Sequence, residues 1–184
     1  MNVLVISSSP NIDGLTAACV AAAREGVSAA GGSVEEIRLN DLDIGCCQAC
    51  GDGWGPCRTE HECQVLDGFQ ALQSRVRDAD GFVFVTPVYF GEMSESAKVF
   101  ADRLRRCEAT RGENSGLAGK PIIAVAAAGG SGGGTITCLL SMDRWIQHVR
   151  GRMFDLITVT RWTRPHKLAA IQAAARAMVE SVVV

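Results

Sequence analysis

Neither charge dominates this sequence. Eighteen Lys and Arg against 20 Asp and Glu leave a formal −2 at pH 7, so neither a nucleic-acid backbone nor an anionic membrane is expected as the main partner. No apolar run approaches the length of a membrane span. Met1-Asn2-Val3-Leu4-Val5-Ile6 carries no basic leader and passes straight into a strand-like run, so no signal peptide is expected and a cytoplasmic setting is. The glycine-rich stretches contain no Gly-Lys-Ser/Thr run, which argues against a triphosphate-binding P-loop. Only three histidines are present. His148 and His166 stand alone, and neither a serine–histidine–acid set nor a His-Glu-x-x-His motif occurs, so hydrolysis has no support.

What the chain does have is alternation. Val3 to Ile6, Phe82 to Val85 and Ile122 to Ala126 are near-continuous apolar runs, the pattern of parallel strands buried on both faces. Val34 to Leu39 and Phe154 to Val159 are interrupted by polar residues and suit sheet edges. Between the runs lie helical stretches at 16–30, 67–77, 135–148 and 167–182. A further helix is marked by Met93, Ala97, Phe100, Leu104 and Cys107 at four-and-three spacing. Five such β-α units within 184 residues predict one α/β domain over 1–184, a doubly wound parallel sheet with helices on both faces.

In such sheets ligands bind beyond the carboxyl ends of the strands. Three loops at those ends are distinctive. Ser7 to Thr16 combines hydroxyls with backbone N–H groups and a helix N-terminus, a setting for a phosphate; the same residues would also serve as a simple helix cap. Thr86-Pro87-Val88-Tyr89-Phe90-Gly91-Glu92-Met93-Ser94 opens with a proline expected to end the strand ladder. It places Tyr89 and Phe90 where a flat aromatic ligand could lie, or where they would be ordinary packing residues. Ala128 to Thr135 holds five glycines, which either clear space for a bulky ligand or form a flexible turn. Arg161, Trp162 and Arg164 follow the last strand at the same edge and could clamp an anionic group.

The segment 41–66 is the one long irregular stretch, and it is rich in thiols. Cys47, Cys50, Cys57 and Cys63 have the spacing C-x2-C-x6-C-x5-C, with Cys46 beside the first. Four thiolates can hold an iron–sulfur cluster or, with His61 as a spare ligand, zinc; free redox-active thiols are the third reading. Register favours Cys47 over Cys46, because adjacent side chains in an extended loop point apart. Cys19, Cys107 and Cys138 fall in helical patterns and read as small core residues.

The Ser-Pro-x-x-x-Gly-x-Thr loop, the Pro87-Val88-Tyr89-Phe90-Gly91-Glu92-Met93-Ser94 run and the following Lys98, Phe100, Asp102 and Arg103 together resemble the NAD(P)H-dependent FMN reductases of the flavodoxin-like fold. The cysteine loop resembles their iron–sulfur flavoprotein branch. That resemblance implies a five-stranded sheet of order 2-1-3-4-5. It implies FMN held at its phosphate by Ser9, Asn11, Gly14, Leu15 and Thr16, and at its ring by Pro87, Val88, Tyr89, Phe90, Gly91, Met93, Gly129 and Gly130. It also implies a [4Fe–4S] cluster on Cys47, Cys50, Cys57 and Cys63. The activity implied is hydride uptake from NAD(P)H and delivery of electrons to a quinone-like small molecule or a redox partner protein, by a homodimer or homotetramer. A non-enzymatic electron carrier and a zinc-stabilised redox sensor are the alternatives. Two departures stand out. Asn11 occupies the place where the family often has arginine, and Gly51 to Pro56 sets the third cysteine further along than the branch's usual tight run.

Overall fold

The computed structural model describes residues 1–181; Val182, where the last helix was expected to end, lies outside them. Five parallel strands form the sheet: β1 (Asn2–Ser7), β2 (Ser33–Arg38), β3 (Gly81–Tyr89), β5 (Pro121–Ala128) and β6 (Arg152–Thr160). Their order is β2-β1-β3-β5-β6, the expected 2-1-3-4-5 once a two-residue strand, β4 (Glu92–Met93), is set aside. β4 pairs antiparallel with the end of β3 and makes the count six rather than five.

Period-two alternation divides the strand side chains between two cores. Leu4, Ile6, Phe82, Phe84, Ile122 and Ala124 face one side. There they pack against α2 (Phe69–Asp78), α3 (Glu95–Glu108) and α4 (Thr135–His148). Val3, Val5, Val83, Val85, Ile123 and Val125 face the other side, against α1 (Leu15–Ala29) and α5 (Arg164–Glu180). The first core holds the buried aromatic residues: Phe84 meets Phe100 edge-on with centroids 5.7 Å apart and Trp145 at 5.5 Å. Trp145 Nε1–H donates to the Ala101 carbonyl at 3.1 Å, so its one polar atom is satisfied in the interior. The two polar-interrupted runs are indeed the edge strands. β2 turns Glu35 out to Arg75 of α2, at 3.0 Å.

One strand differs from expectation. Pro87 does not end the ladder, because β3 continues to Tyr89 with Pro87 in register with Ala127 of β5. The strand is prolonged by its own return: Val88 and Tyr89 pair with Met93 and Glu92 across a two-residue turn.

Candidate cofactor site

The β1–α1 loop begins at the centre of the sheet. Ser8 N–H donates to the Val85 carbonyl at 3.2 Å, which ties the loop to β3. Ser9 Oγ accepts the Asn11 N–H at 3.2 Å and rounds the chain toward Gly14, the residue before α1. No side chain caps α1 and no acidic residue stands in its first turn. Its leading N–H groups and the positive end of its dipole are therefore presented without an internal anion. Thr16 and Ser9 are buried at this end, whereas Gly14 has room for a Cβ, its nearest neighbour being Asn11 Cβ at 3.7 Å.

A cavity of about 320 Å³ opens beside the loop, lined by Ser9, Asn11 and Thr16 and also by Arg24, Glu36 and Arg38. Arg38 donates to the Pro10 carbonyl at 3.4 Å and pairs with Asp41 at 3.0 Å, and Arg24 faces Glu36 at 3.9 Å. Neither arginine was singled out from sequence. Arg38 ends β2, next to β1 in the sheet, so a positive charge reaches the edge of this loop from a neighbouring strand. That adjacency was legible only through the strand order.

The second loop is a tight hairpin with Phe90 and Gly91 at its tip, at φ of +52° and +83°. Two positive φ values in succession are the signature of the hairpin turns that match strand twist. For an aromatic residue this backbone is uncommon, and such strain collects at functional positions. Phe90 is fully exposed and Tyr89 is 40% exposed, so both rings stand at the sheet's carboxyl edge rather than in the core. Strand pairing sets Met93 opposite Val88; Met93 is buried beneath the hairpin, and Val88 is partly buried against the same core.

Ser94 joins the first two loops. Its Oγ accepts the Ala97 N–H, capping α3, and donates to the Ser8 carbonyl at 2.9 Å. Ser96 Oγ reaches the same carbonyl at 3.3 Å and Asn40 at 3.3 Å. The third loop is locked to the hairpin tip. Thr137 Oγ1 donates to the Gly91 carbonyl at 2.7 Å, and a Cβ on Gly134 would lie only 2.6 Å from Gly91 Cα. Gly129 and Gly130, by contrast, are exposed and have open space around them. The loop thus contains close backbone packing at one end and clearance at the other. Trp162 stands beside Gly132 with Arg161 stacked over its ring at 4.4 Å.

The cysteine segment runs from the end of β2 to α2 and lies along α3. Cys47, Cys50, Cys57 and Cys63 line one pocket together with Arg103 and Arg106, while Cys46 is exposed and outside it. Donor type and charge fit an anionic occupant, because the Nε atoms of Arg103 and Arg106 are buried there with no hydrogen-bond partner. The thiols share this wall without converging, and no three His, Cys, Asp or Glu gather into a metal-holding group among the described residues. The long excursion before Cys57, with Gly51 and Gly53 both at positive φ, accounts for the spread. The pocket is also set back from the edge that carries the three loops: Arg103 lies nine residues into α3 beyond Ser94, about 14 Å at the helical rise. Cys19, Cys107 and Cys138 are fully buried. Burial pushes each thiol up to about 12, with the nearby Cys63 and Cys57 adding to the effect at Cys107.

The chain is similar to iron–sulfur flavoproteins of two archaea. It is 32% identical over 105 residues to one of Methanocaldococcus jannaschii, a match covering 57% of this chain and 52% of that protein. It is 27% identical over 154 residues to one of Methanosarcina thermophila, covering 82% and 75%. The chain therefore spans about half the length of the first of these relatives. Among solved structures, an NAD(P)H:quinone oxidoreductase from Methanothermobacter marburgensis superposes with a TM-score of 0.75 at 16% identity, covering 97% of this chain and 96% of that one. An archaeal flavodoxin superposes at 0.67 with 14% identity over the whole of both chains. At these identities the likeness establishes a flavodoxin-like fold. The family description NADPH-dependent FMN reductase matches residues 1–151, a span that holds all three edge loops, the cysteine segment and α3, and the chain belongs to that family.

Proposed function

We propose that this chain is an FMN-dependent oxidoreductase that uses NAD(P)H and delivers electrons to a quinone-like or protein acceptor. The observation that carries the reading is the convergence of three loops on one sheet edge. They meet through the Ser94–Ser8 and Thr137–Gly91 hydrogen bonds. FMN bound at such an edge supplies hydride acceptance together with electron release in one- or two-electron units. The residues of the chain bind and orient. The α1 N-terminus, Ser9, Asn11 and Thr16 would hold the phosphate, with Gly14 and Leu15 shaping the turn. Pro87, Val88, Tyr89, Phe90 and Gly91 would line the ring, and Gly129 and Gly130 leave room beside it. No side chain is required to move a proton.

The second part of the proposal assigns Cys47, Cys50, Cys57 and Cys63 to a [4Fe–4S] cluster. The shared pocket wall, the buried Arg103 guanidinium with the buried Nε of Arg106, and the naming of the archaeal relatives as iron–sulfur flavoproteins support it. A cluster there supplies one-electron storage.

Protein purified without oxygen should release FMN on heating, identifiable by chromatography, and should oxidise NAD(P)H with a quinone or ferricyanide. Colourless protein that also fails to take up added FMN would overturn the reading, and bound flavin without NAD(P)H turnover would make the chain a carrier. About four iron and four sulfide per chain are expected for the cluster. Alanine at Cys47, Cys50, Cys57 or Cys63 should remove the broad absorption beyond the flavin bands with FMN retained, and alanine at Cys46 should leave it. Stoichiometric zinc without sulfide would refute the cluster.

A further inference from the structure

The side chain of Arg103 is fully buried, yet it belongs to none of the edge loops. Its guanidinium stacks on the Phe69 ring at 4.3 Å and spends its N–H groups on the cysteine segment. Nη1 donates to Asp67 Oδ2 at 2.5 Å and to the Gly45 carbonyl at 3.0 Å, and Nη2 donates to the Val65 carbonyl at 2.9 Å and to Cys63 Sγ at 3.2 Å. Asp67 closes the loop from the other side by accepting the N–H groups of Gly45 and Phe69, each at 2.9 Å. One planar fork therefore joins both ends of the segment, at 45 and at 63–67, to the middle of α3. A buried arginine is costly unless its donors are used, and this one uses both terminal nitrogens, leaving only Nε without a partner, on a loop that has little core of its own.

We propose that Arg103 is the positioning residue of the cysteine segment: it clamps the two ends of the segment on α3 and directs an N–H and a positive charge onto the sulfur of Cys63. The fixed fork of arginine suits this role, because a lysine can supply the charge but not four directed donors. The clamp rests on the pocket as found. The effect on an occupant of that pocket rests on the iron–sulfur reading above. Donors and positive charge at a ligand sulfur favour the more reduced cluster. Asp67 opposes them with its negative charge, so the two partners should act in opposite directions. Loosening alone would shift both variants the same way.

The test uses Arg103→Gln, Arg103→Lys and Asp67→Asn, each purified without oxygen and checked for FMN content. With iron present, the midpoint potential of the cluster is measured by dye-coupled titration with EPR detection. Arg103→Gln should shift it negative, lowering the reduced-to-oxidised ratio at a fixed potential about tenfold, or 59 mV for a one-electron couple. Asp67→Asn should shift it positive, and Arg103→Lys should fall between Arg103→Gln and the parent. Unchanged potentials, or shifts of one sign in all three, would overturn the proposal. If Arg103→Gln does not fold, the opposed signs of the other two decide.

The clamp has its own readout in metal-free protein, deuterium exchange of the amides of 45–67 against those of 8–16. Arg103→Lys should speed exchange at least tenfold in the first segment and leave the second unchanged. Equal exchange in parent and variant would refute the clamp. Parent protein that never holds iron would refute the cluster reading and leave this second measurement to judge Arg103.

Discussion

Gly134→Ala should be among the costly single-methyl changes in this molecule, and the structure supplies both reasons. Gly134 sits at φ +75°, where an L side chain costs about 1–2 kcal/mol. The added Cβ would also lie 2.6 Å from Gly91 Cα and 3.0 Å from Gly91 N. Those are backbone atoms of a tight turn, which cannot rotate aside, so α4 and the hairpin must part. Overpacking of this kind costs about 1–3 kcal/mol. A combined loss of about 3 kcal/mol is expected, which for a chain of this size lowers the melting midpoint by about 6–12 °C. FMN affinity should fall with it, because the Thr137–Gly91 hydrogen bond sets the height of the aromatic hairpin. Urea titration of the flavin-free protein gives the stability, and flavin fluorescence quenching gives the affinity. Gly129→Ala in the same loop is the control: its Cβ meets nothing within 4 Å, so stability should change by less than about 0.5 kcal/mol. A Gly134→Ala variant as stable as the control would refute the argument that backbone contact between these two glycines locks the loops together.

Thr16→Val keeps the shape of the α1 entrance and removes a hydroxyl. If Thr16 donates to the FMN phosphate, binding should weaken by about 1.5–3 kcal/mol, the value of a hydrogen bond to a charged group, and unchanged affinity would remove Thr16 from the site. Glu108 is fully buried. Burial alone would raise its carboxyl, but the Gly116 N–H, the Gln73 amide and Arg77 outweigh that and hold it below the usual range. Its contribution is therefore complete above the unfolded carboxylate value and fades as pH falls through the lower folded one. Glu108→Gln should cost about 3 kcal/mol at pH 7 and flatten the acid limb of the stability–pH curve; parallel curves for the two proteins would contradict this. Among the thiols, Cys46 should react first with iodoacetamide at pH 8. Cys19, Cys107 and Cys138 should stay unmodified in native protein, as peptide mass spectrometry would read.

The apolar runs of β1, β3 and β5 are short and rich in Val, Ile and Phe, and that composition and length, not apolarity alone, mark them as buried parallel strands; the apolar run 17–23 belongs to a helix and is mostly alanine. The stripe from Met93 to Cys107 specifies the buried face of α3. Likewise, the alternation of side chains along an extended segment was enough to turn Cys46 outward and Cys47 inward. These are local rules, one residue's direction relative to the next, and local rules can be read in one dimension. Pro87 shows their limit: a breaker is tolerated inside a strand when a hairpin beyond it supplies new partners. Arg38 reaches the β1–α1 loop only because β2 lies beside β1, and Gly134 matters because Gly91, forty-three residues away, comes against it. Arg103 belonged, in the sequence, to the run that resembles the family, but its role as a clamp appeared only when the fold buried it under a loop whose two ends it joins. Such roles depend on which distant backbone arrives at a side chain, and packing of the whole sheet decides that.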